Sequence, residues 1–196
     1  MMQRHNAVAN LAALAGLGSI FRADAYATLA ARSLHIKFLA EARPGAPLMI
    51  EGGIAGTGTT SADLVLLMRH AGSGQIAATF RIKADHVSPK EGRRFDWPQR
   101  FAEKAQKLTV AGPDIAQPRG LAEADGATGI SIARADALGL EQIGMGRFNS
   151  DEMSVFGRIR SDILLGRVSN SVVNFRGAFP EEVDFHMGET SARIGS

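Results

Sequence analysis

A chain of 196 residues is long enough to bury one sizeable core, and a hydrophobic content of 45% with a mean hydropathy of −0.02 is that of a globular protein. Cysteine is absent, which excludes disulfides, thiolate metal sites and a cysteine nucleophile and makes a cytoplasmic setting the default. The net charge is only +2, Arg and Lys are scattered among acids, and no apolar run approaches the ~18 residues of a membrane span, so neither nucleic acid nor membrane is expected as a partner.

The first element predicted is a helix from Asn6 to about Arg32. Val8, Leu11, Leu14, Leu17, Phe21 and Leu29 recur at three- and four-residue steps, Asn6 can serve as N-cap, and Gly16 and Gly18 are points where the helix can kink or split. From Leu34 the period changes to two: Leu34, Ile36, Phe38 and Ala40 alternate with polar neighbours in a half-buried strand. Arg43-Pro44-Gly45-Ala46-Pro47 makes a turn, and a second strand covers Leu48 to Ile54. Gly52, Gly53, Gly56 and Gly58 interrupt or end it and mark a bulge or a close backbone approach. Ser61 to His70 is the third strand and Gln75 to about His86 the fourth, with Ile76, Ala78, Phe80 and Ile82 on one face. Short connections predict that the four strands form an antiparallel meander.

A breaker-rich loop, Ser88 to Arg94, then leads through Trp97-Pro98 to a short charged helix, Gln99 to about Leu108. Residues 109–141 hold several Gly and Pro and read as a linker. The last third is predicted as a strand, Gln142 to Phe148, a polar turn, Asn149 to Ser154, and a helix from about Arg160 to Phe175 lined by Ile163, Leu164, Val168, Val172 and Phe175.

Three stretches carry a family resemblance: Leu34 to Leu39 with Ala42 to Leu48; Gly56-Thr57-Gly58-Thr59-Thr60-Ser61; and Phe156-Gly157-Arg158 with Leu165 to Ser169. With them the chain resembles the acyl-CoA thioesterase-like hot-dog proteins, most of all the tandem double-hot-dog members. The resemblance implies an α+β fold, a long helix packed on a curved antiparallel sheet over residues 1–108, and a partial second hot-dog unit over 142–196. A complete unit begins with a strand and an acid-containing turn, whereas this chain begins at the helix, and the second unit lacks its sheet. The chain therefore reads as a central piece of a longer tandem protein. Open edges and an uncovered apolar helix stripe predict a homo-oligomer, with Gln142 to Phe148 filling a place in the first sheet.

The resemblance also implies the site. Family members commonly place aspartate three residues before the glycine of Phe156-Gly157-Arg158, and Ser154 stands there, so the base falls to Asp151 or Glu152, with Ser154 as a hydrogen-bonding neighbour. Gly157, read as lying immediately before the helix, offers its N–H to the oxyanion. Arg158 and Arg160 are candidate contacts for coenzyme A phosphates, and Thr59, Thr60 and Ser61 for the substrate. The bland readings stand beside these: carboxylates that cap a helix start, solvated arginines and ordinary turn residues. His5, His35, His70, His86 and His186 show no metal-ligand spacing, and His70 and His86 are expected at strand ends on the surface or rim. Neither Gly-x-Gly pair has the context of a dinucleotide loop.

The function expected is hydrolysis or binding of an acyl-CoA thioester, without metal or cofactor other than the coenzyme A of the substrate. The alternative is a non-catalytic hot-dog module that binds acyl chains or builds an oligomer; a hydratase ranks last because no histidine–acid pair stands out in the sequence.

Overall fold

The computed structural model describes residues 2–118, 131–140 and 142–178, with side chains over 7–118, 131–140 and 142–171. It divides into two units, Met1–Leu121 and Ala122–Ser196.

The first unit opens with α1, Met2–Leu14, and not with a helix reaching Arg32. Gly16 takes φ +84°, which a side chain would oppose, and closes the helix. Its N–H donates to the Ala13 carbonyl at 3.0 Å and that of Leu17 to Ala12 at 2.7 Å, the paired bonds of a Schellman cap. The apolar spacing that continues to Leu29 belongs to turns that fold back: Leu17 and Ile20 are buried, and the strand already begins at Thr28.

Four strands follow: β1 (Thr28–Phe38), β2 (Leu48–Thr57), β3 (Ser61–His70) and β4 (Ile76–Val87). All neighbours are antiparallel, but the order is β1-β4-β3-β2, so β1 pairs with β4 rather than with β2. Only β2, β3 and β4 form a meander. The connection Leu39–Pro47, which the sequence suggests as a simple turn, spans the end of the sheet, about 14 Å at the usual strand spacing. Leu34 and Ile36 of β1, Leu64 and Leu66 of β3 and Phe80, Ile82 and Ala84 of β4 form one apolar cluster with Leu11, Ala12, Ala15 and Leu17. One face of the sheet thus packs on the helix.

The glycines of β2 do what the sequence suggests. The register shifts between Ile54 and Gly56, a bulge, and the strand edge at Ile54 is met by another backbone. Ile54 N–H donates to Leu108 O at 2.9 Å and Val110 N–H to Ile54 O at 3.1 Å. A Cβ on Gly53 would lie 2.6 Å from both Val110 methyls and 2.9 Å from Leu108 O, so the strap can approach only because residue 53 has no side chain.

After α2 (Gln99–Lys107), which buries Phe101 and Ala105, the chain does not leave the domain as a free linker. It crosses the outer face of the sheet as a strap, with a single 3₁₀ turn at Asp114–Ala116. Lys37 Nζ donates to Ile115 O at 2.9 Å, Arg81 bonds Gln117, and Ala116 is buried. Beneath it Arg81 pairs with Asp63 at 2.7 Å, and that bond holds the guanidinium above its ordinary pKa.

In the second unit α3 (Ile132–Ala137) is N-capped by Ser131, whose hydroxyl accepts from Arg134 N–H. Residues 142–149 form no strand, so the predicted strand Gln142 to Phe148 is absent, and with it the expectation that it fills a place in the first sheet. A 3₁₀ turn at Ser150–Glu152 precedes α4, Ser161–Ala178. Leu164 and Val168 of that helix are exposed, whereas Phe175 and Val172 lie outside the described side chains.

Candidate functional site

One end of the first unit gathers chemistry-bearing residues from three segments. Continuing the period-two face of β4 beyond Ile82 gives Ala84 and then His86, so the imidazole belongs to the core side of the strand. His86 is 7% exposed, not a rim residue, whereas His70 is half-exposed at the end of β3. His86 N–H donates to Thr60 O at 2.8 Å and Trp97 N–H to Thr59 O at 3.2 Å. The Trp97 indole reaches the same turn, donating to Gly58 O (3.0 Å) and Ser61 O (3.2 Å). The 59–61 turn is therefore brought beside His86, with the Thr60 carbonyl spent on His86 and those of Thr59 and Ser61 on Trp97.

The rings stack. His86 lies on Trp97 with centroids 4.7 Å apart and planes at 19°, and Trp97 on Phe101 at 4.0 Å and 20°. His86 Nδ1 is 3.2 Å from Phe95 O. A carbonyl oxygen only accepts, so Nδ1 carries the proton and the neutral ring keeps its lone pair on Nε2. Nε2 makes no hydrogen bond among the described residues and is not sealed from solvent.

His86 borders a cavity of about 410 Å³. Leu17, Ile20, Ala25, Tyr26, Phe95 and Pro98 give it apolar walls, and Ser19, Asp96 and Arg100 add polar groups. A few convergent polar groups in an apolar hollow are the usual make-up of a small-molecule site. A second cleft, about 320 Å³ between α1 and β2, has Glu51 as its charged group, and Arg69 already pairs with it at 2.9 Å.

The other predicted residues cluster in the second unit, in a turn that satisfies itself. Ser154 N–H donates to Arg158 O at 2.7 Å and Gly157 N–H to Ser154 O at 2.9 Å. Gly157 takes φ +69° and stands four residues before α4, so its N–H is neither at the helix start nor free for an oxyanion. Ser154 Oγ accepts from Phe156 and Arg158 N–H. Glu152 accepts Asn149 N–H at 2.7 Å and pairs with Arg167 at 2.8 Å. Those bonds, the backbone one first, hold its carboxyl below the usual glutamate range. Asp151 is exposed and its carboxylate makes no hydrogen bond or salt bridge among the described residues. Arg160 pairs with Asp162 at 2.8 Å, which raises its pKa, while Arg158 is exposed.

A family model described as the thioesterase-like superfamily matches residues 4–105, which include most of α1, all four strands and most of α2. The chain belongs to the thioesterase-like superfamily. Solved structures share its fold. The PA5185 protein from Pseudomonas aeruginosa strain PAO1 has a TM-score of 0.51 at 15% identity, covering 57% of this chain and 77% of its own. The SAV2348 protein from Staphylococcus aureus, solved in complex with CoA, has a TM-score of 0.52 at 19% identity, covering 63% and 79%. No curated protein sequence matches. The thioesterase-like match lies in the first unit, where a helix packs on an antiparallel four-stranded sheet, the hot-dog arrangement expected there. Among the described residues no helix is long and apolar enough to cross a membrane, and no group of acids and histidines could hold a metal ion.

Proposed function

We propose that this protein takes an acyl-CoA thioester as its ligand, seats the acyl group in the first unit's cavity, and acts as an acyl-CoA thioesterase. The observation that carries the reading is that cavity, about 410 Å³ with mainly apolar walls, in a domain of the thioesterase-like superfamily. Each 100 Å² of acyl surface removed from water there contributes about 2.5 kcal/mol, and the CoA complex of the SAV2348 protein supports coenzyme A as the carrier. Thr59, Thr60 and Ser61 neighbour the cavity through His86 and Trp97. The second unit is taken by itself: there Arg160 is engaged by Asp162, so Arg158 is the better of its two arginines to meet an anion.

The turn at 151–158 supports a second reading, a binding module without catalysis. Glu152 is held by two partners, the Gly157 N–H is spent and Ser154 has no base among its contacts, which leaves Asp151 as the carboxylate able to reach water. The tandem arrangement rests on α4 alone among the described elements of 142–178, and homo-oligomer formation on the part of the β2 edge, Leu48–Gly52, that lies before the strap. A cytoplasmic setting goes with the absence of cysteine.

Thiol release and equilibrium binding across short, medium and long acyl-CoAs test the proposal. Release that falls in D151N or E152Q assigns the base to the turn; release unchanged in both assigns it elsewhere; binding without release supports the module; neither binding nor release removes the proposal.

A further inference from the structure

The stacking of His86 on Trp97 would be served as well by any flat ring, yet the side chain is an imidazole with one nitrogen fixed and the other open. Nδ1–H is committed to Phe95 O, the ring plane is set by Trp97, and the backbone N–H is tied to Thr60 O. Position, tautomer and tilt are all determined before any ligand arrives. What remains is the lone pair on Nε2, on a ring that lines an apolar hollow. The other polar or titratable groups lining that hollow are Ser19, Tyr26, Asp96 and Arg100; Tyr26 is 76% exposed, and neither Asp96 nor Arg100 forms a salt bridge among the described residues. The neighbouring acid on the strand, Asp85, is committed to Arg94 at 3.0 Å.

We infer that His86 is the general base of thioester hydrolysis in this chain, so that the reaction runs in the first unit's cavity and not at the 151–158 turn. The inference rests on the acyl-CoA reading above. In the step, Nε2 takes a proton from a water as its oxygen bonds to the thioester carbon. The Nδ1–H bond to Phe95 O stabilises the imidazolium that forms. The C–S bond then breaks, the electron pair leaves on sulfur, and Nε2 returns the proton to the thiolate. Water and thioester become carboxylic acid and thiol, with no further reactant. The base is oriented by a backbone carbonyl, the same division of labour by which a carboxylate orients a histidine in other hydrolases.

The test uses the full chain and an acyl-CoA from which it releases thiol. H86F keeps a flat ring against Trp97 and removes both nitrogens; H86Q keeps hydrogen bonding and removes the base. In both, kcat falls by roughly 10²- to 10⁴-fold with KM within about threefold, the span of general-base catalysis. Variants that retain kcat within about fivefold, or that raise KM alone, overturn the inference. If both variants unfold, the parent enzyme is treated with diethyl pyrocarbonate and the modified residue mapped. Modification of His86 in step with activity loss, slowed by acyl-CoA, supports the inference, and activity loss without it overturns it. Binding of acyl-CoA with no thiol release overturns the base assignment and leaves the ligand reading intact; no binding at all removes both.

Discussion

Adding one methyl group at residue 53 should detach the strap from the sheet. In Gly53→Ala the new Cβ meets both Val110 methyls at 2.6 Å and Leu108 O at 2.9 Å, distances no real Cβ keeps, so the strap must move. The movement removes the bonds Ile54 N–H to Leu108 O and Val110 N–H to Ile54 O. At about 1 kcal/mol net for each bond, the loss is about 2 kcal/mol. The smaller freedom of alanine in the unfolded chain returns roughly 0.4–1 kcal/mol, leaving a net destabilisation of about 1–1.5 kcal/mol. For a chain of this size that is a fall in Tm of roughly 2–6 °C. Thermal unfolding measures the total, and amide hydrogen exchange locates it: Ile54 and Val110 should lose protection while the β3–β4 ladder keeps its own. The double variant G53A/V110A removes the methyl clash but not the carbonyl contact, so it should recover part of the stability. Parent-like stability in G53A together with protected Ile54 and Val110 amides would refute the account of the strap.

Two further outcomes follow from local geometry. Gly16→Ala forces a side chain into φ +84° at the cap of α1, with Lys104 Cδ at 3.3 Å; a loss of roughly 1–2 kcal/mol is expected in urea unfolding, and an unchanged midpoint would contradict the cap. Glu152 has a lowered folded pKa, so its contribution is present above the ordinary glutamate value and is lost as pH falls through the lower folded one. By NMR the Asn149 amide should therefore titrate on the acid side of the usual carboxylate range, and E152Q should abolish that titration; a midpoint at the ordinary glutamate value would show the capping bond to be ineffective.

Much of the first unit is legible in the sequence because its signals are local. Ser61–His70 alternates and ends on turn residues, and the structure keeps both boundaries; β4 differs by one residue at each end. The helix end is equally local: Gly16 and Gly18 mark a kink or a split, and Gly16 takes the left-handed conformation that closes α1, while the apolar series through to Leu29 carries the expected helix on past it. Strand order is not local. Nothing in Arg43–Pro47 says that the chain crosses the sheet end, because the preference of β1 for β4 comes from pairs such as Leu34 with Ile82 and Ile36 with Phe80, 48 and 44 residues apart. The site divides the same way. His86 was within reach by carrying the face of Ala78, Phe80 and Ile82 two positions further, whereas the partners that engage Glu152 and the Gly157 N–H depend on how the 149–167 segment closes on itself.

Trp97 is the single tryptophan of the chain. Sandwiched between His86 and Phe101 and tied to the 58–61 turn, it makes intrinsic fluorescence a signal from one place. Emission excited at the indole band carries no background from elsewhere in the molecule. A molecule entering beside His86 would change the polarity and quenching that this one fluorophore meets, so occupancy of the cavity can be followed in real time without a label. Stopped-flow mixing then resolves binding from thiol release, and the order of the two phases becomes directly visible.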